Sequence, residues 1–172
     1  FKKNRVTYLS NVKGCQNFLE IINLKNKKIK FINASSSEIF SSRVKKISLN
    51  SKKTPISPYG KSKLISYNKT KFFRDKKKLK AYNAIIFNSE SYFRDKSFLI
   101  PKICLAAIRA KKFKQITSFG NIDVSREWNW CDEQAKYLVK FIAKKPQDFI
   151  LSNGKSFTAK QMMSYAFDYF NL

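Results

Sequence analysis

Residues 11–24 carry Val12, Cys15, Phe18, Leu19 and Ile22 at helical spacing, and residues 28–34 directly after them read as a strand. A helix feeding straight into a buried strand commits the chain to an α/β arrangement, and the same alternation recurs downstream. Ser57-Pro58 opens a second helix, with proline at its first turn, that runs to residue 75. Residues 81–88 contain Ala84-Ile85-Ile86-Phe87, a short apolar run suited to an interior parallel strand. After a long loop the spacing predicts a helix over 98–110, a strand over 116–119, a helix over 133–143, a strand over 149–151 and a helix from 158. The fold expected is a mainly parallel sheet with helical cover. With 172 residues, 43% of them hydrophobic, the chain can bury one real core. No internal repeat is present, and Lys76-Lys77-Lys78 reads as a solvated helix end.

Composition removes several chemistries. The chain has no histidine, so a Ser-His-Asp triad, a Cys-His pair and a histidine-ligated zinc site are excluded within it. Cys15, Cys104 and Cys131 stand far apart, and an odd count closes no disulfide framework, so buried thiols in a reducing compartment are expected. No charged-then-apolar leader and no bilayer-length apolar run occur, which predicts a soluble, cytoplasmic protein with no membrane partner. The formal net charge of +25 invites a polyanion-binding reading. Only six of the 36 basic residues are arginines, however, and abundant Lys, Asn, Ile, Phe and Tyr together suit the codon bias of an AT-rich genome. Dispersed lysine is a solvated face, so nucleic acid is not the expected partner, although a nucleotide substrate gains from the field.

Tyr59 and Lys63 lie one helical turn apart and share a face. A free phenol titrates near pH 10, and an adjacent ammonium lowers that value by stabilising phenolate, which makes the pair a proton acceptor for a sugar hydroxyl. The spacing also arises by chance in lysine-rich helices. Upstream, Ala34-Ser35-Ser36-Ser37-Glu38 follows the first strand and puts a hydroxyl and a carboxylate at its carboxyl end, where open α/β sheets bind ligands. Serines there also serve as simple turn caps.

The run Ala34-Ser35-Ser36-Ser37-Glu38, then Thr54-Pro55, then Ser57-Pro58-Tyr59-Gly60-x-x-Lys63, resembles the sugar-nucleotide branch of the extended short-chain dehydrogenase/reductase superfamily. Phe87-Asn88-Ser89-Glu90-Ser91, Lys102-Ile103 and Gly120-Asn121-Ile122-Asp123-Val124-Ser125-Arg126-Glu127-Trp128 are similar to the motifs F-N-H-E-S, R-K-I and G-N-L-D-A-K-R-D-W of the GDP-mannose 4,6-dehydratases. Asp148-Phe149-Ile150 and Gly154-Lys155-Ser156 extend the similarity over nearly the whole chain. Glu38 separates dehydratases from epimerases, which generally lack a glutamate there.

The resemblance implies a partial Rossmann-like parallel sheet plus part of a small substrate-binding domain. Residues 1–90 would hold the second half of the sheet and the catalytic residues, and 91–172 the mixed substrate-binding and sheet-completing segments. It implies NADP as cofactor, GDP-mannose or a related nucleotide sugar as substrate, and a homo-oligomer associating through helices next to the catalytic one. By the same resemblance Tyr59, assisted by Lys63, takes the 4-hydroxyl proton, Glu38 removes the C5 proton, and Ser36, where the family has threonine, bonds the reacting oxygens. Lys63, Ser89 and Arg94 fall on positions that contact NADP, and Asn88, Lys102 and Arg126 on positions near the nucleotide-sugar phosphates.

The chain also departs from the family pattern. Gly14, Gly60, Gly120 and Gly154 form no glycine-rich turn of the kind that admits a pyrophosphate to a helix N-terminus. Ser89 replaces a histidine, Ser41 a glycine, Tyr92-Phe93-Arg94-Asp95 the run P-R-R-G, and the stretch 54–60 is shortened. An internal fragment or a shortened gene product is therefore expected. An inactive remnant, and an enzyme acting on a different nucleotide sugar, stand as the alternatives to a working GDP-mannose dehydratase.

Overall fold

The computed structural model describes residues 2–41, 44 and 46–172. In chain order the elements are α1 (Lys2–Tyr8), a π-helical turn (Leu9–Lys13), α2 (Gly14–Lys25), β1 (Lys30–Ser36) and a 3₁₀ turn (Ser37–Ile39). Then come α3 (Pro58–Lys77), β2 (Lys80–Ile86), β3 (Asn88–Glu90), α4 (Leu99–Phe113) and β4 (Ser125–Trp130). The last four are α5 (Cys131–Ile142), β5 (Asp148–Leu151), β6 (Ser156–Thr158) and α6 (Ala159–Asp168). They group into two compact units, one of residues 1–87 and 135–151, the other of 88–134 and 152–172.

In the first unit β1, β2 and β5 form a parallel sheet in the order β1-β2-β5, with Ala34 opposite Ala84 and Ala84 opposite Phe149. The central strand β2 is buried continuously from Ala81 to Ile85. That is why its sequence does not alternate apolar with polar: both faces are covered, and the one polar residue of the buried stretch, Asn83, has hydrogen-bond partners of its own. Ala81 packs with Cys15, Leu19 and Ile22 of α2, and Ile85 with Tyr67 of α3. The intervening Tyr82 and Ala84 pack with Phe149 of β5 and with Leu138, Phe141 and Ile142 of α5.

The helix that carries the candidate site is delimited by its own sequence. Ser57 caps α3, Pro58 takes its first position, and Lys78 closes it in the left-handed conformation at φ 60°. The Leu79 N–H returns to the Phe73 carbonyl at 3.2 Å and buries Leu79 beneath the helix end. Arg74, Lys76 and Lys77 lie in the last turn, where cations complement the helix dipole.

A buried polar network registers this helix on the sheet. Asn33 donates to Asn83 Oδ1 at 2.9 Å, and Asn83 Nδ2 donates to Asp148 Oδ1 at 2.9 Å, linking β1, β2 and β5. Tyr67 and Arg74 of α3 complete it, each donating to an Asp148 oxygen at 2.6 Å. Burial works against the Asp148 charge, but hydrogen bonds from Arg74, Tyr67 and Asn83 outweigh it and hold the carboxyl below its ordinary value.

In the second unit β3 pairs parallel with β4, and β4 antiparallel with β6, while α4 packs on α6. Glu127 of β4 is buried and accepts from Asn129 Nδ2 at 3.0 Å, Ser152 Oγ at 2.8 Å and the Asn153 N–H at 2.7 Å. Thr158 and Gln161 form a reciprocal capping box at the start of α6.

Most of the expected elements form, and α1 adds a helix ahead of the first one expected; the other differences are these. The strand expected over 116–119 does not exist: Ile116 is 97% exposed and the segment pairs with nothing as a strand. The strand of this region is β4, whose inward residues Glu127 and Asn129 are polar, so its period of two is invisible to an apolar pattern. Short β3 and β6 lie in stretches expected as loop or helix start. Ser36 is the last residue of β1 rather than following it. Of the three thiols expected to be buried only Cys15 is, against Thr70 at 3.7 Å, while Cys104 and Cys131 are exposed. Among the described residues no helix is long and apolar enough to cross a membrane, and no His, Cys, Asp and Glu cluster could hold a metal ion.

Candidate functional site

Four of the expected residues come together in the first unit, at the carboxyl end of β1 and the start of α3. Ser36 ends β1 in an extended conformation, and its hydroxyl accepts the Glu38 N–H at 3.2 Å, which turns the chain into the 3₁₀ segment. That turn presents the exposed Glu38 side chain towards the start of α3, where Ser57 donates to its Oε2 at 2.8 Å. The Ser57 hydroxyl in turn accepts the Gly60 N–H at 2.9 Å. Glycine is required at 60 because a Cβ there would stand 2.4 Å from the Glu38 carbonyl oxygen and 3.0 Å from the Pro55 side chain. The helix start and the glutamate turn are therefore in direct backbone contact.

Tyr59, the second residue of α3, remains 40% exposed, with the Ser36 hydroxyl near enough to act on its phenol. Lys63, one turn on, donates from Nζ to the Ala34 carbonyl at 2.9 Å and stands 5.5 Å from the centre of the Tyr59 ring. Partial burial pushes the Tyr59 phenol above its ordinary value; the Ser36 hydroxyl opposes that, and the negative Glu38 adds to it. Burial also pushes Lys63 down. The lowered phenol expected from the Tyr59 and Lys63 spacing is thus not what the structure gives. The ammonium is committed to the strand carbonyl, and desolvation governs the phenol. The resting pair is a tyrosine held in its neutral form beside a lysine bonded to the strand carbonyl, with N–H donors to spare.

The other expected residues lie in the second unit. Asn88 opens β3 with an exposed side chain, and its carbonyl accepts from Asn129 Nδ2 at 3.3 Å. The Ser89 hydroxyl is bonded to the Gln134 side chain. The Arg94 guanidinium lies 3.6 Å over the Phe98 ring and pairs with Glu90 at 3.8 Å. Burial raises the Glu90 carboxyl, against the pull of Arg94. Lys102 donates to the Ser118 carbonyl at 3.0 Å and covers the Phe119 ring. Arg126 is exposed on β4, two residues before Trp128, which stands opposite Asn88, and it bonds the neighbouring Ser125 carbonyl at 2.8 Å. Asn88 on β3 and Arg126 on the central strand β4 thus lie on adjacent strands of one sheet, two register positions apart, while Ser89, Arg94 and Lys102 are each held by partners within the second unit. Sequence reasoning took Ser57 only as a helix start and gave Gly60 no role, because their contacts with Glu38 join segments nineteen or more residues apart.

The family model and the sequence relatives point to one family. The family model described as GDP-mannose 4,6 dehydratase matches residues 1–172. GDP-mannose 4,6 dehydratase 1 of Arabidopsis thaliana is 32% identical over 165 residues, 92% of this chain and 46% of the plant protein. GDP-mannose 4,6 dehydratase 2 of Caenorhabditis elegans is 31% identical over 146 residues, 81% of this chain and 37% of that protein. The chain therefore spans less than half the length of these relatives. The solved structure of RMD from Pseudomonas aeruginosa complexed with NADPH superposes with a TM-score of 0.91 at 18% identity, covering 100% of this chain and 61% of that one. That likeness establishes the Rossmann-like fold. Matched along its full length by the family model, this chain belongs to the GDP-mannose 4,6 dehydratase family.

Proposed function

We propose that this chain is the catalytic portion of an NADP-dependent dehydratase that converts GDP-mannose to GDP-4-keto-6-deoxy-mannose. The observation that carries the reading is the gathering of Ser36, Glu38, Tyr59 and Lys63 at one strand end, a glutamate beside a tyrosine and lysine pair. Family membership supports the same reaction class.

The donor set fits the nicotinamide end of a dinucleotide: Lys63 has N–H donors to spare beyond Ala34, and Tyr59 is open to solvent. Lys63 would hold that end, with Ser89 and Arg94 as further contacts. When bound, the nicotinamide supplies a hydride acceptor for C4 and returns the hydride to C6.

Tyr59 in its phenolate form takes the 4-hydroxyl proton as the carbonyl forms, with the Ser36 hydroxyl stabilising the phenolate. The 4-keto group acidifies the C5 proton, which Glu38 removes. The C5–H electron pair becomes the C5–C6 double bond, the C6–O bond breaks, and the proton on Glu38 goes to the departing oxygen, so water leaves and the carboxylate is regenerated. A proton returned to C5 balances the one Tyr59 releases. Asn88, Lys102 and Arg126 are the proposed contacts of the nucleotide-sugar diphosphate, a role suited to cations and an amide donor.

A second reading, an inactive family remnant, is favoured by the raised Tyr59 phenol and the engaged Ser89. Incubating the gene product with GDP-mannose and NADP separates the two. Formation of the 4-keto-6-deoxy sugar supports the dehydratase, and absence of both product and NADP binding supports the remnant.

A further inference from the structure

Glu38 sits on a short exposed turn, where a glutamate side chain would ordinarily sample several rotamers. Among the described residues the side chain bonded to its carboxylate is Ser57, at 2.8 Å to Oε2. Ser57 is also the N-cap of α3, the helix that carries Tyr59 and Lys63, and it accepts the Gly60 N–H at 2.9 Å. A hydroxyl has one proton to donate and lone pairs to accept with, so the two bonds do not compete. The Gly60 backbone packs against the Glu38 carbonyl, which fixes the turn to the same helix end. The Glu38 charge is close enough to act on the Tyr59 phenol.

We infer that Ser57 is a positioning residue for Glu38: its one hydroxyl caps the catalytic helix and registers the carboxylate against the Tyr59 and Lys63 pair. In its catalytic consequence this rests on the dehydratase reading above. The proton-abstracting step depends on that placement, whereas oxidation at C4 does not.

Three variants of the gene product separate capping from positioning. Ser57→Asp keeps a side chain that caps a helix as well as serine but has no proton to donate and repels Glu38. Ser57→Thr keeps both functions, and Ser57→Ala loses both. The expected result is that Ser57→Asp melts with the unsubstituted protein, keeps its KM for GDP-mannose and loses about tenfold to a hundredfold in kcat. In single turnover it should accumulate the absorbance of reduced cofactor, because C4 oxidation outruns elimination, and Ser57→Thr should recover turnover. A Ser57→Asp protein with unchanged kcat and no reduced cofactor overturns the inference.

If the unsubstituted protein turns over no GDP-mannose, the dehydratase reading falls, and the positioning role is decided by NMR couplings at the Glu38 side chain. One χ1 rotamer in the unsubstituted and Ser57→Thr proteins, with averaging in Ser57→Asp, supports it. The same coupling in all three overturns it.

Discussion

Lys63 Nζ donates to the Ala34 carbonyl at 2.9 Å, so the lysine expected to activate Tyr59 also fastens α3 to the carboxyl end of β1. Replacing it by methionine should therefore lower both activity and stability. A loss of turnover in the range of about 10²- to 10⁴-fold is expected for removing the Tyr59 hydroxyl in Tyr59→Phe, with little change in stability. Lys63→Met should add a measurable drop in melting temperature, read by circular dichroism. Because the phenol is raised above its ordinary value, its base form grows as pH rises, so kcat/KM should climb on the alkaline side. A profile flat above neutrality would assign the proton to another group.

Glu38→Gln keeps the size of the side chain and its bond from Ser57 but removes the base. Turnover should fall by about 10² to 10⁴, while isotope exchange of the C5 proton into heavy water disappears. Exchange at the unsubstituted rate would clear Glu38 of the role.

Gly60→Ala tests the contact between helix and turn. In an ordinary helix the change stabilises by about 1 kcal/mol. Here the new Cβ meets the Glu38 carbonyl at 2.4 Å, and crowding of that kind costs about 1–3 kcal/mol, so urea denaturation should show net destabilisation. A more stable variant would mean that the turn moves freely.

The Asp148 network makes stability depend on acid. Its folded carboxyl titrates below the unfolded value of about 3.9, so its stabilisation is fully present above that value. It is lost as pH falls through the folded value. Asp148→Ala strips Arg74 of its 2.6 Å partner in a nearly buried site and should cost about 3 kcal/mol at neutral pH. The variant should also lose that share of the acid dependence between pH 5 and 2, followed by denaturant midpoints.

Thiol labelling under native conditions should modify Cys104 and Cys131 and leave Cys15 intact until the protein unfolds. Burial both shields Cys15 and pushes its thiol up, which suppresses the reactive thiolate. Rapid modification of all three would place Cys15 outside the core.

Much of this molecule is legible from residue order because the signals are local. The α2 and α3 helices, the buried β2 run and the Ser57-Pro58 start follow from periodicity and capping, which act within one or two turns of chain. The Ser36, Glu38, Tyr59 and Lys63 motif was recognised by resemblance, and its gathering at one strand end follows from the β1-α3 connection.

Tertiary structure decided what no local signal encodes. Strand β4 is registered by Glu127 and Asn129, polar residues buried only because Ser152, Asn153 and Asn88 meet them. The ordinary-looking Tyr67, Arg74, Asn83 and Asp148 become a core network because the strands align in one register. The shift of the Tyr59 phenol is set by how much water the folded chain removes, with the Glu38 charge adding to it and the Ser36 hydroxyl opposing it. Spacing put Tyr59 and Lys63 on one face; desolvation and the contacts of Ser57 and Gly60 with Glu38, which depend on distances through space rather than along the chain, set how that face can react.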